Sequence, residues 1–174
     1  MEHLLRATAK AETRHFWFRG FRAFVTPLLE SAAAGRSDMR LLDCGCGTGA
    51  NVELLSRFGR AFGFDLSDTG LRLGRQAGRM RLAQASVDAV PFPDGLFDIL
   101  TSFDVLYSLN DLAERSAIGE MFRTLKPGGF AVINVAAMRA LRGDHSVLSR
   151  EVRRYDREEL RIKLQAAGFT VVRI

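Results

Sequence analysis

Between residues 17 and 34, the apolar side chains Phe21, Phe24, Val25, Leu28 and Leu29 recur at spacings of three and four. That repeat predicts a helix with one buried face. Pro27 falls inside it and would remove one backbone hydrogen bond. A shorter helix is expected over 4–16, and Gly35-Arg-Ser-Asp38 reads as a turn. Beyond it the pattern changes to short, mainly apolar runs at 39–43, 61–65, 80–85, 97–102 and 130–135, the signature of strands covered on both faces. Between them lie helical stretches at 50–57, 68–77 and 111–124. Ser67 is placed to cap the second of these, although Gly70 and Gly74 weaken it. Lys126-Pro-Gly-Gly129 reads as a helix stop. Residues 136–154 have weak periodicity and are expected to form an irregular insertion. Asp156 and Glu159 open a further helix that runs to Ala167, with Gly168 as the left-handed residue after it.

A sixth strand is expected at 169–174. Its open side calls for cover, either by further chain or by a second copy in a homodimer. Strands and helices alternate throughout, so the predicted class is α/β, a doubly wound, mostly parallel sheet with helices on both faces. One domain over 1–174 is expected, with residues 1–36 as a helical cap and 136–155 as an insertion over the active site.

Composition narrows this reading. The 174 residues are 47% apolar and 26% charged, which suits a packed core and not a disordered tail. No window is long and apolar enough to span a bilayer, and the N-terminus lacks the features of a signal peptide. A cytoplasmic location is the resulting expectation. Cys44 and Cys46 flank one residue, are poorly placed to bridge each other, and fall short of a four-thiolate metal site. No metal is expected. The formal charge is +5, and the densest basic stretch holds Arg150, Arg153, Arg154, Arg157 and Arg161. Glu151, Asp156, Glu158 and Glu159 interrupt it, so it reads as a solvated, partly paired face and nucleic acid is not the expected partner.

The chemistry concentrates at Leu41-Leu-Asp-Cys-Gly-Cys-Gly-Thr-Gly49. Glycines at alternate positions follow a strand and open a helix, so a ligand can lie against bare backbone near helix N–H groups. The spacing is neither that of dinucleotide folds nor that of a P-loop. Asp43 precedes the first glycine, where an acid opposes phosphate but suits an ammonium or sulfonium. Asp65 ends the next strand and can take both hydroxyls of a ribose.

These residues resemble the first motif of the class I S-adenosylmethionine-dependent methyltransferases, in the small-molecule group that includes ubiquinone and sugar-amine methylating enzymes. Gly63-Phe-Asp-Leu-Ser67 resembles the second motif, Pro91-Phe-Pro-Asp-Gly-Leu-Phe-Asp98 the approach to strand four, and Leu125-Lys-Pro-Gly-Gly129 the entry to strand five. The resemblance implies a Rossmann-like fold and S-adenosyl-L-methionine as cofactor, with S-adenosyl-L-homocysteine as product. The cofactor-binding set it implies is Phe18, Arg22, Asp43, Gly45, Cys46, Gly47, Asn51, Asp65, Leu66, Ser86, Val87 and Phe103. Ser86 stands where the family often has an acid for the adenine amine, with Asp88 two residues on. Residues 12–22 and 145–155 are similar to the flanks of a bacterial branch of the family. There Ser146 and Glu151 replace an aspartate and a second histidine.

Methyl transfer is an in-line substitution on an already activated donor, so alignment and desolvation matter most. Phe103, Asp104 and Tyr107 follow strand four and are candidates to meet an acceptor, with Tyr107 either orienting it or packing at the core edge. His15 and His145 are candidate bases. Phe16, Trp17 and Phe18 can pack or can form a lid over the sulfonium. Arg22, or alternatively Arg19, can pair with the cofactor carboxylate. Arg153, Arg154 and Tyr155 can hold an acidic group or brace the insertion. The expected reaction is methylation of an oxygen or nitrogen of a small-molecule acceptor. The alternatives are an RNA or protein methyltransferase, or a catalytically inactive binding protein of the same fold.

Overall fold

The structure is a computed structural model that describes residues 2–138, 140, 143 and 151–174. Among the described residues, five parallel strands form one sheet: β1 (Met39–Cys44), β2 (Gly59–Asp65), β3 (Leu82–Gln84), β4 (Phe97–Phe103) and β5 (Leu125–Asn134), in the order β3-β2-β1-β4-β5. The order reverses between β1 and β4, and in open parallel sheets ligands bind at the carboxyl ends of the strands beside such a reversal. Every residue of β4 is buried, as its apolar run requires of a strand covered on both faces.

The helices are α1 (Glu2–Ala11), α2 (Phe16–Ala33), α3 (Ala50–Leu55), α4 (Asp68–Gln76), α5 (Asp111–Thr124) and α6 (Arg157–Ala166). One core packs α2, α3 and α4 on Met39, Leu41, Ala61, Ile99 and Phe103. The other packs α5 and α6 on Leu42, Cys44, Phe64, Phe97 and Leu100. Strict alternation along β1 thus divides between the two layers. Among the described residues no helix is long and apolar enough to cross a membrane.

Local chemistry starts and stops these helices. Ser67 accepts from Gly70 N–H at 3.3 Å, Asn110 from Ala113 N–H at 2.9 Å and Asp156 from Glu159 N–H at 2.8 Å. Gly168, at φ 106°, ends α6. Its N–H donates to Gln165 O, and that of Phe169 to Leu164 O, so the last carbonyls are satisfied. At the opposite end of the sheet from the glycine loop, Asp98 ties α2 to the strands. It accepts from Arg36 at 2.6 Å, Lys126 at 2.8 Å and Arg40 N–H at 3.0 Å. Burial alone would raise the Asp98 carboxyl, but these donors outweigh it and hold it down to about 2.

The structure corrects several expectations. Helix α1 stops at Ala11, short of the expected 16, whereas α2 runs through Pro27 as its apolar repeat predicts. Helix α5 ends at Thr124, before Lys126 as expected, but β5 already begins at Leu125, so Lys126-Pro-Gly-Gly129 lies inside the strand, where a register shift between Phe97 and Ile99 absorbs the irregularity. Among the described residues β5 is an edge strand, and residues 169–174 join no ladder. The segment is held by packing and not by pairing: Phe169 sits edge-on to Phe122 at 5.2 Å, and Phe169 and Val171 pack on the core under α5 and α6. His145 and Ser146 lie outside the described residues.

Residues 151–155 of the expected insertion are braced firmly. The N–H groups of Val152 and Arg153 donate to Tyr107 O, and Tyr155 N–H donates to Ala136 O. Arg153, Lys163 and the Tyr155 hydroxyl converge on buried Glu114. Arg154 pairs with Glu151 at 2.6 Å, and Arg161 with Glu158 at 3.3 Å.

Gly74 and Gly119 make a matched test of this packing. A Cβ on Gly74 would stand 2.3 Å from Thr48 O, whereas one on Gly119 would meet nothing within 4 Å. Gly74→Ala is expected to cost ~1–3 kcal/mol through overpacking. Gly119→Ala is expected to gain up to ~1 kcal/mol through helix propensity. Urea unfolding of both variants checks the opposite signs, and equal shifts would show that α4 does not press on the loop.

Candidate active site

The glycine loop is built by backbone geometry. Gly45, Gly47 and Gly49 all have positive φ (79°, 55° and 79°), which explains glycine at alternate positions. The N–H groups of Gly45 and Cys46 both donate to Phe64 O at 2.9 Å, stitching the loop onto β2. A Cβ on Gly45 would stand 2.3 Å from Val105 Cγ2. One on Gly70 of α4 would stand 2.8 Å from Gly47 O.

Asp65 closes the loop from the neighbouring strand. Its Oδ2 accepts from Gly47 N–H at 2.7 Å, and its Oδ1 accepts from Ser67 N–H at 2.8 Å. Each carboxylate oxygen keeps further acceptor capacity. Asp43 is different, being only 1% exposed. Its Oδ1 accepts from Thr101 at 2.6 Å, while Oδ2 is buried without a hydrogen-bond partner. Burial, with Asp65 adding repulsion and Thr101 opposing, raises the Asp43 carboxyl to about 7. Burial and the neighbouring Asp43 push both Cys44 and Cys46 thiols up, so neither is poised for redox chemistry.

Glu12 is the residue the sequence did not announce. It is 4% exposed and binds Thr48 Oγ1 through Oε2 and Arg79 through Oε1, both at 2.5 Å. Arg79 also donates to Thr48 O at 3.1 Å. The loop is thereby tied to the end of α1, and Leu5 of that helix lies over Gly47. No spacing rule marks Glu12, because its partners are 36 and 67 residues away.

On the far side of β2, Leu66 is exposed, Ser86 half-buried and Val87 buried. A turn in which Ala89 N–H donates to Ser86 O brings the Ser86 hydroxyl onto the Asp88 carboxylate. Asn51 lies in the first turn of α3, above the loop.

At the carboxyl end of β4, Phe103 packs edge-on against Phe21 at 4.9 Å. Asp104 follows with φ 59°, in the left-handed region that aspartate adopts more readily than most non-glycine residues. Asn134 of β5 donates to it at 2.9 Å. Tyr107 is half-buried against the α5–α6 core. His15 caps α2, its Nδ1 accepting from Trp17 N–H at 3.3 Å, and its ring lies 4.6 Å from Phe16. Phe18 and Arg22 are half-buried on α2, whereas Phe16, Trp17 and Arg19 are exposed. Arg153, Arg154 and Tyr155 are taken up in the brace described above.

Comparison with known proteins agrees with this geometry. A family model described as a methyltransferase domain matches residues 42–133. The ubiquinone/menaquinone biosynthesis C-methyltransferase UbiE of Shewanella halifaxensis is 36% identical over 116 residues, 58% of this chain and 43% of that protein. The chain therefore spans less than half the length of that relative. Among solved structures, the Haemonchus contortus phosphoethanolamine N-methyltransferase 2, in complex with phosphomonomethylethanolamine and S-adenosylhomocysteine, superposes with a TM-score of 0.77 at 19% identity. That superposition covers 97% of this chain and 42% of that one. The [4+2]-cyclase SpnF superposes with a TM-score of 0.68 at 26% identity over 86% and 57%.

The residues present fit S-adenosylmethionine. An orphaned buried carboxylate oxygen suits its ammonium, a second carboxylate with spare acceptor sites suits its ribose, and a loop with glycine at alternate positions lies between them.

Asp43→Asn tests the charge held under the loop. The folded pKa of about 7 exceeds the unfolded value of 3.8. The folded protein thus holds a proton that the unfolded chain releases. This favours folding at low pH and is lost as pH rises from about 4 to about 7. Asp43→Asn is expected to change stability little near pH 4. Its advantage over the native protein should grow to as much as about 4 kcal/mol above pH 7. Denaturant titrations of ligand-free protein at pH 4, 6 and 8 check this, and a pH-independent difference would refute it.

Proposed function

The chain belongs to the methyltransferase-domain family of class I S-adenosylmethionine-dependent methyltransferases, and on that premise we propose that it transfers a methyl group to a small-molecule acceptor. The observation that carries the proposal is the pairing of Asp43 and Asp65 around a left-handed glycine loop at the carboxyl ends of β1 and β2. In this reading Asp65 takes the ribose hydroxyls, Asp43 faces the ammonium, and Gly45, Cys46, Gly47 and Asn51 line the methionine portion. Leu66, Ser86 and Val87 hold the adenine, with the Ser86–Asp88 pair supplying the acceptor for its amine. Phe18, Arg22 and Phe103 close the site from α2 and β4. The cofactor brings a methyl group already activated by the sulfonium charge.

The acceptor lies at the carboxyl ends of β4 and β5. The named activity of the UbiE relatives is methylation at carbon. We carry this over as a hydroxylated ring whose ionised hydroxyl makes its own oxygen or the adjacent ring carbon nucleophilic. That reading widens the expectation of oxygen or nitrogen. Asp104 accepts the hydroxyl proton, held in position by Asn134. Tyr107 and the segment 151–155 form the wall on the α5 side. His145 remains a second candidate base. The SpnF comparison favours one other reading, that the fold serves here without methyl transfer.

Two measurements decide between them. Calorimetry with S-adenosylhomocysteine should show binding that Asp65→Ala weakens several-fold to a hundredfold, since the ribose loses a charged acceptor worth ~1–3 kcal/mol. Unchanged affinity would place the ribose elsewhere. Mass spectrometry with S-adenosylmethionine and a panel of catechols, hydroquinones and aryl amines should show a methylated ring product. Asp104→Asn should abolish that product while leaving S-adenosylhomocysteine binding intact. Binding without any product across the panel would favour the non-transferring reading.

A further inference from the structure

Helix α2 is apolar on two sides. Phe21, Val25, Leu29 and Ala33 face the core. Phe16, Trp17 and Phe24 stand on the outer side, 76%, 64% and 69% exposed. Their spacing with Gly20, Ala23 and Pro27, all exposed, places the six on one strip of helix surface. Helices of soluble proteins normally present charged residues there, and large exposed rings grouped together mark a binding surface.

The charges around the strip state what it binds. From Leu5 to Leu29 the chain carries Arg6, Lys10, Arg14, Arg19 and Arg22. Its sole acid there is Glu12, which is buried and paired with Arg79. Exposed Glu30 bounds the strip at its C-terminal end. Exposed Arg19 lies along one edge, with half-buried Arg22 behind it. Trp17 and Phe24 lie along the other edge, and Phe16, Ala23 and Pro27 lie between. Lys10 and Arg14, both exposed, precede the strip where the chain enters α2. Segregation of this kind fits a water–lipid boundary. Rings sink below the phosphates while guanidinium groups remain level with them. A nucleic-acid face would instead intersperse cations and rings along a groove.

We propose that the outer face of α2 docks the protein on an anionic membrane surface. The strip begins where Phe21 meets Phe103, at the end of the sheet that holds the glycine loop. Docking would therefore turn the mouth of the site toward the bilayer. That last consequence rests on the methyl-transfer reading, with an apolar ring acceptor drawn from the membrane.

Trp17 is the sole tryptophan, so its emission reports on this face alone. The chain is titrated with phosphatidylcholine vesicles and with vesicles that also contain phosphatidylglycerol. The expected result is a blue shift with the anionic vesicles only, weakened by salt and quenched by brominated acyl chains. Lys10→Glu combined with Arg14→Glu should raise the vesicle concentration needed about tenfold or more. Phe24→Ser should reduce binding similarly, and both variants should bind S-adenosylhomocysteine as the native chain does. Absence of a shift, or an equal shift with both vesicle types, would overturn the proposal. So would a shift that follows protein concentration without vesicles, which marks a second copy. Quenching by single-stranded polyuridine without a vesicle response would assign the face to nucleic acid instead. Failure of S-adenosylhomocysteine binding in the native chain would count against methyl transfer and leave the vesicle result standing.

Discussion

The backbone of residues 45–49 lies against α4 and β2 at distances that side chains do not tolerate. A Cβ on Gly70 or Gly74 would collide with the carbonyls of Gly47 and Thr48, and one on Gly63 would collide with Cys46 and Val52. The loop can therefore adopt three left-handed glycines in five residues and still be pinned, by two N–H donations to Phe64 O and one to Asp65. Everything placed around it depends on this contact. Asp65 reaches Gly47 because β2 lies beside β1, and Asp43 is buried within β1, between β2 and β4.

Three carboxylates surround the loop, and each is treated differently by its environment. Glu12 is paired with Arg79 and Thr48, so its burial is compensated. Asp65 is held by two backbone donors and retains sites for a ligand. Asp43 has one hydroxyl donor and an unpartnered oxygen, so burial dominates and its carboxyl rises. The first two fix the loop in space. The third stores an unfavourable burial that a cationic ligand would relieve, as is common where stability and binding compete.

On the side of α5 the structure is organised around buried Glu114. Glu114 collects Arg153, Lys163 and the Tyr155 hydroxyl, and this fixes the residues after β5 against α5. The same segment donates to Tyr107 O, so the wall beside Asp104 is set by contacts between residues far apart in sequence. Helix α2 spans the sheet from the carboxyl end of β4, where its inner face packs on Phe103, to the amino end, where the turn after it reaches Asp98 through Arg36.

The amino-acid sequence by itself determined whatever depends on local geometry. Alternate glycines after an apolar run, an acid at the end of the next strand, and Ser67, Asp156 and Gly168 at helix ends each have a chemistry confined to a few neighbouring residues. Parallel order followed from alternating strands and helices. Tertiary structure decided what depends on distant partners. Phe169–Ile174 reads as a strand but joins no ladder among the described residues, and Pro27 does not stop a helix whose inner face is already held by the core. Arg153 and Tyr155 fit a substrate until buried Glu114 claims them. Ser86 and Asp88 meet only because a turn folds one onto the other. Glu12 acquires its role only through Thr48 and Arg79, and pairing across such separations leaves no periodic trace in a chain.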